Sequence, residues 1–331
     1  YRTQKTTSTA AYAQLGYSLT DAWSVTLGAR VNEDEKDFEF VQYDLTGPPP
    51  GIPGVMDAAS PKLNDSWDSF TPRLGVEWQV SEDHMLYASY ANGYKSGGFN
   101  ARPTTEPPRF EAYEPEELDT YELGAKTEWL DRRLRFNLAV FYSDYQEIQL
   151  PTFFFIDGIY VTETANAGDG TIRGLEADFA AAINTWLTLT ANLGVLDFEY
   201  GTVNDVVGPG TDTPPGEMLP FTSKNSWTVG LDAILAETAR GTLSASVDYN
   251  HRSEFVFDVF NLNSQSPYGL LNMRVDYTST DGRWSVYALG KNIADEEYAV
   301  TAGDFALIGV GEQRGLGPPR EWSVGLDYNF D

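Results

Sequence analysis

The sequence predicts an all-β chain folded as the wall of a transmembrane antiparallel β-barrel. Three observations carry that reading. A two-residue alternation recurs along the 331 residues, short and long connections alternate between the strands, and the tryptophans keep to strand ends. Alternating apolar and polar residues mark a strand with two unlike faces, whereas an amphipathic helix repeats every ~3.6 residues.

The elements follow in chain order. Alternation is clear at 11–19, 23–32, 73–80, 121–129, 134–143, 174–183, 187–195, 227–235, 243–250 and 271–278. In 271–278, for example, Leu271, Met273, Val275 and Tyr277 alternate with Asn272, Arg274, Asp276 and Thr278. The last strand sets Trp322, Val324, Leu326, Tyr328 and Phe330 against Ser323, Gly325, Asp327 and Asn329. Residues 85–95 alternate less cleanly, and 159–183 reads as one long strand with an irregular outer half. The expected total is thirteen strands. Helical spacing is nowhere sustained.

Six connections are short (20–22, 81–83, 130–133, 184–186, 236–240 and 279–283) and six are long (35–66, 96–117, 151–158, 201–224, 254–267 and 295–319). The two kinds alternate without exception. An antiparallel meander sends alternate connections to opposite ends, so one end carries tight turns and the other long loops, as in bacterial outer-membrane barrels. Trp23, Trp78, Trp129, Trp186 and Trp284 lie at short turns, and Trp67, Trp227 and Trp322 lie beside long loops. Indole rings prefer the headgroup level, which yields two girdles. Trp67 and Trp186 fall on the polar phase of their strands.

Opposite the apolar residues stand many charges, among them Arg73, Glu77, Glu122, Lys126, Glu176, Asp248 and Arg274. On a β-sandwich these would form the solvated outer face. The connection pattern decides for the barrel, in which they line the lumen while Val25, Leu74, Leu123, Leu138, Val229, Val247, Val275 and Val324 point to lipid.

Composition narrows the function. With 49 Asp and Glu against 22 Lys and Arg the net charge is -27, which argues against nucleic acid, where cations must neutralise phosphates. The absence of Cys excludes disulfides, zinc–thiolate sites and a Cys nucleophile. His84 and His251 are too few for a His-rich metal site, though not against one built from carboxylates. No run is long enough for a transmembrane helix, and YRTQKTTSTA lacks the order of a signal peptide. The stretch YASYANGYKSGGFN (87–100) has the glycines and Lys95-Ser96 of a phosphate loop but not its spacing. Adjacent acids such as Glu116-Glu117 and Asp295-Glu296-Glu297 point to opposite faces of a strand, so no catalytic pair forms and no enzyme is expected.

Five stretches resemble the barrel of TonB-dependent outer-membrane receptors. They are YASYANGYKSGGFN, TYELGAKTEWLDRRLRFNLAVFYSDYQEIQL (120–150), NAGDGTIRGLEADF (166–179), LGKNIADEEY (289–298) and REWSVGLDYNF (320–330). The resemblance spans essentially the whole chain. It implies a barrel of about 22 strands, a plug inside it and a TonB-binding segment ahead of the plug. On that basis these are the last thirteen strands, and about nine more plus the plug precede residue 1. Barrel-assembly machinery reads an aromatic C-terminal strand in this class, and here Asp331 follows Phe330. The glycines after Lys95 would allow a chain reversal at a strand end.

The implied function is active uptake of a scarce nutrient, foremost a ferric siderophore, with a carbohydrate, cobalamin or a passive porin as alternatives. No cofactor is expected. Loop residues suited to stacking on a planar ligand are Tyr94, Phe99, Phe153, Phe154 and Phe155, and Arg102, Arg109 and Arg314 suit an anionic complex.

Overall fold

The computed structural model describes residues 2–44, 55–59, 62–100, 112–156, 159–166, 168–203, 217–304 and 311–330. The first strands are β1 (Arg2–Ser18), β2 (Trp23–Asp44), β3 (Val55–Ala59), β4 (Leu63–Ser81), β5 (His84–Lys95), β6 (Gly98–Phe99) and β7 (Ala112–Tyr113). Next come β8 (Glu116–Trp129), β9 (Leu134–Gln146), β10 (Gln149–Ile156), β11 (Ile159–Asn166), β12 (Gly168–Ala182), β13 (Leu187–Val203) and β14 (Asn225–Thr238). The last are β15 (Gly241–Arg252), β16 (Phe255–Val256), β17 (Ser264–Gln265), β18 (Tyr268–Ser279), β19 (Trp284–Lys291), β20 (Ala299–Asp304), β21 (Glu312–Leu316) and β22 (Glu321–Tyr328). Among the described residues no helix is long and apolar enough to cross a membrane, which says nothing of a β-barrel.

Thirteen strands form one antiparallel wall in the order β1-β2-β4-β5-β8-β9-β12-β13-β14-β15-β18-β19-β22, with β3 paired on β2. Because each wall strand pairs with the next one along the chain, all tight turns share one edge and all long connections share the other. The tight turns close locally through small polar side chains, the alternative partners that turns favour. Thr20 Oγ1 accepts from the Ala22 and Trp23 amides, and Thr238 Oγ1 from those of Arg240 and Gly241. Leu130, Asp131 and Arg132 all take the left-handed backbone conformation in the turn between β8 and β9.

Residues directly opposite across a ladder share a face. Followed from strand to strand, Val25 leads through Val76, Ala88, Leu123, Val140 and Leu175 to Val195. Further on, Leu193 pairs with Trp227, Val229 with Tyr249, Val247 with Met273, Val275 with Ala288, and Ala288 with Val324. All eight apolar residues singled out above therefore lie on one face. Arg73, Glu77, Glu122, Lys126, Glu176, Asp248 and Arg274 fall on the opposite phase of the same strands.

The apolar face is uncovered by protein: Leu123 is 60% exposed, Leu326 67% and Val324 78%. A water-soluble chain rarely leaves so much contiguous apolar surface open. Aromatic belts bound it. Near the tight turns Trp23 and Trp78 stack with ring centroids 5.3 Å apart, and Trp129, Trp284 and Tyr328 continue the row on the same face. The second belt includes Phe70, Tyr121, Tyr142, Trp227 and Trp322. Trp78 and Phe70 are eight residues apart, which is ~27 Å along a strand and ~21 Å of depth at the usual tilt. That agrees with the ~25 Å apolar band of a membrane barrel.

Three elements differ from the sequence expectation. Residues 159–183 are not one strand: β11 folds back on β10, and β12 joins the wall between β9 and β13. The break lies at Gly168, whose φ of 124° favours glycine. Alternation has the same period in both segments, so it does not reveal the change of partner. By the same finding, the long connection expected at 151–158 is mostly a hairpin. The connection expected at 35–66 is also shorter, because β2 and β4 stay paired out to Phe38 and Leu63. Beyond Val31 the outer face of β2 carries Glu33 and Glu35 in place of apolar side chains. Pairing persists there while hydrophobic alternation ends, because that part of the wall stands clear of lipid.

Candidate functional site

The wall has no core of its own, since one side meets lipid and the other is polar. Burial is concentrated at the long-connection edge, where loops fold over the polar face. Below them the polar face satisfies itself. Tyr87 Oη donates to Glu122 (2.7 Å), and the Lys126 ammonium stands 5.7 Å from the Tyr87 ring centroid. Arg274 pairs with Asp276 (2.6 Å) and stacks over Tyr287, and Asp248 accepts from Asn272 (2.8 Å). Glu77 accepts from Ser24 Oγ (3.1 Å). A trough of about 560 Å³ runs across these strands, lined by Lys126, Asn137, Glu176, Asp178 and Arg252 among others.

At the rim the first anchor is aromatic. Phe38 and Trp67 are buried on the polar-phase side and hold Phe99 from the connection after β5, with ring centroids 5.6 Å and 6.2 Å away. Trp67 thus leaves the girdle for a packing role, as its phase implied. Lys36 Nζ donates to the Gly97 carbonyl and lies over the Trp67 ring at 5.4 Å. Gly97 and Gly98 are buried, and neither is among the positive-φ residues. Their role is close approach, not the chain reversal expected from sequence. A Cβ on Gly97 would overlap the Tyr113 carbonyl and come within 2.6 Å of the Trp67 indole.

The second anchor is Glu116, 7% exposed at the start of β8. Its carboxylate accepts from Lys95 Nζ (3.0 Å) and from the Gln149 amide (2.7 Å), and the Gln149 side chain donates to the carbonyls of Ser96 and Glu114. Asn100 exchanges two hydrogen bonds with the backbone of Thr164, and Asn166 two with that of Glu114. These bonds lace the β10–β11 hairpin to the connection between β5 and β8.

The lacing continues along the rim. Asn261 exchanges two bonds with the Met218 backbone, and Gln265 Oε1 accepts from the Ala299 amide. The Asp258 carboxylate gathers the amides of Phe260, Leu262 and Asn263. Asn292, 4% exposed within LGKNIADEEY, clamps Glu296 N and O and the Pro318 carbonyl. Apolar side chains fill beneath: Ile148, Leu150, Phe198 and Val259 form one cluster, Phe255, Phe257 and Ala299 another. Between the clusters and the Lys95–Glu116 pair lies a cavity of about 460 Å³ bordered by Tyr145, Gln149, Phe221 and Asp258. That volume lies within the ~300–1,000 Å³ usual for ligand sites.

The sequence-selected ligand residues are distributed unevenly around it. Phe99 anchors a loop. Tyr94 lies opposite Glu117, with its hydroxyl buried and unbonded. Phe153, Phe154 and Phe155 sit mid-β10 opposite Thr162, Val161 and Tyr160; their side chains lie outside the described residues, as do Arg102, Arg109 and Asp331. Arg314 is exposed and paired with Glu312 at 2.6 Å. The residues lining the cavity were missed, because the signal for Glu116, Gln149 and Asp258 is mutual contact between loops far apart in sequence. Among the described residues no cluster of His, Asp and Glu is placed to hold a metal ion.

The family described as TonB dependent receptor-like, β-barrel matches residues 1–293. The chain belongs to that family. Its members are outer-membrane β-barrels, so the uncovered apolar face is the lipid face of an outer-membrane wall. The pesticin receptor of Yersinia pestis is 24% identical over 289 residues, covering 87% of this chain and 39% of that protein. The ferripyoverdine receptor of Pseudomonas aeruginosa is 23% identical, covering 97% of this chain and 36% of that protein. Among solved structures, the ferric yersiniabactin uptake receptor FyuA from Yersinia pestis superposes over 100% of this chain and 46% of its own, with a TM-score of 0.80 at 19% identity. The siderophore receptor PiuA from Acinetobacter baumannii gives a TM-score of 0.75 at 21% identity, over 98% of this chain and 43% of its own. At these identities the likeness shows the fold. The chain spans well under half the length of the relatives it matches. Those relatives are receptors and not enzymes.

Proposed function

We propose that this wall belongs to a receptor that takes up a ferric siderophore across the outer membrane with energy from TonB. The observation that carries the proposal is the inward fold of the long connections, which builds an aromatic-bordered cavity over the polar face. The relatives named for ferric complexes support the ligand class. In this reading the tight turns face the periplasm and the long connections the medium. Arg73, Glu77, Glu122, Lys126, Glu176, Asp248 and Arg274 line the lumen against a plug domain, whose leading segment meets TonB. The barrel-assembly machinery engages β22.

The test is uptake of radioactive iron, supplied as siderophore complexes, by iron-starved cells with and without the gene, each with and without TonB. Uptake should require both. Uptake that needs the gene but persists at full rate without TonB would establish the porin reading instead. Sugar or cobalamin uptake through the same gene, with no iron phenotype, would replace the ligand class.

A further inference from the structure

Charge at the rim points to the kind of complex that enters. Each of the six long connections, read from the sequence, carries more acidic than basic residues. Six of the described cations at that edge are already engaged, while the exposed Arg2, Lys5, Lys62 and Lys291 lie at or beside the outer ends of their strands, away from the cavity border. Lys95 is held by Glu116 at 3.0 Å, Arg314 by Glu312 at 2.6 Å, Arg320 by Asp295 at 3.4 Å and Lys224 by Asp197 at 3.6 Å. Arg252 is directed to the Phe221 carbonyl and Ser223 Oγ, and its guanidinium stacks 4.3 Å from the Phe255 ring centroid. Lys36 is bound to the Gly97 carbonyl.

The 460 Å³ cavity repeats the pattern. Its charged border is Lys95, Glu116 and Asp258, one cation against two anions, and most of the remaining border is apolar, including Leu150, Phe221 and Phe257. An anion entering there meets like charge in a partly desolvated place, where screening is weak. The one cation on the described border, Lys95, is already paired with Glu116. A ligand with an apolar flank and no net charge meets neither cost.

We infer that the rim selects ferric complexes with no net negative charge, typified by an electroneutral tris-hydroxamate, over trianionic complexes typified by a tris-catecholate. This rests on the import reading above. In the neutral case three singly charged hydroxamate groups balance the ferric ion, and in the other three doubly charged catecholates leave an excess of negative charge.

The experiment is tryptophan-fluorescence quenching of the purified full-length receptor with one complex of each kind. Titrations are run at about 0.05 and about 0.5 M salt, which spans strong to weak screening. The neutral complex should bind at least about tenfold more tightly at low salt and change less than about twofold with salt, while the trianion should tighten as salt rises. Glu312→Gln removes one exposed rim carboxylate without touching a buried group. It should strengthen trianion binding by about two- to threefold at low salt only. A trianion that binds as tightly as the neutral complex, or tighter, overturns the charge assignment and leaves the import reading standing. Binding of neither complex overturns both.

Discussion

Leu74→Arg tests the assignment of faces at the most demanding depth. Leu74 lies on the apolar face, 42% exposed, four residues from Trp78 and four from Phe70. Four residues correspond to ~13 Å of strand and ~10 Å of depth, so the site is the midplane of the band. An arginine there costs about 2–4 kcal/mol in a membrane barrel, or about a 30- to 900-fold shift in the folding equilibrium. The matched control is Ser89→Arg. Ser89 pairs with Gly75, next to Leu74, but faces the other way, directly opposite Glu122. There the guanidinium meets water and a carboxylate, and the cost should be under about 0.5 kcal/mol. The assay is equilibrium refolding of the full-length receptor into lipid vesicles across a guanidinium series, with the denaturant slope checked for constancy. A tolerated Leu74→Arg beside a damaging Ser89→Arg would mean that the faces are reversed, and the membrane reading of the wall would fall.

Three further outcomes are expected. Asn292→Ala removes a buried amide making three hydrogen bonds and leaves alanine at a φ of 47°, so stability should fall by about 1–3 kcal/mol in thermal unfolding; a change below about 0.5 kcal/mol would show that the clamp is dispensable. Gly97→Ala should push the connection after β5 off Trp67, seen as a red shift and greater quencher access in tryptophan emission; unchanged emission would contradict the close-approach role. Asp281, in a tight turn, has its carboxyl held below the ordinary carboxylate range, chiefly by a hydrogen bond from Ser279 Oγ and then by the Arg283 amide. Because the folded value is lowered, this contribution is complete above the unfolded value of about 3.9 and fades as pH falls through the lower folded one. Asp281→Asn should therefore flatten the acid side of the stability profile, and an unchanged profile would remove Asp281 from the account.

The sequence by itself determined the number of wall strands, the two faces and the edge on which each kind of connection falls, but not the hairpins within the long connections. It could do so because each of these is a local periodicity or a length: side chains alternate with a period of two along any strand, and lipid demands apolar groups on one phase. Even Trp67, on the wrong phase for a girdle, announced its own exception. Where the solvent stops differing between faces, the signal stops as well, which is why β2 was read as ending near Glu33 although its pairing runs on to Phe38 and beyond. Only the tertiary structure decided the rim. Glu116 meets Gln149, Asn100 meets Thr164, and Gln265 meets Ala299 across 33, 64 and 34 residues. Such contacts have no period, because they depend on how far each loop leans inward once its strands are paired. The glycines at 97 and 98 show the difference most plainly: their presence was legible, but their reason is an indole contributed by a strand thirty residues earlier.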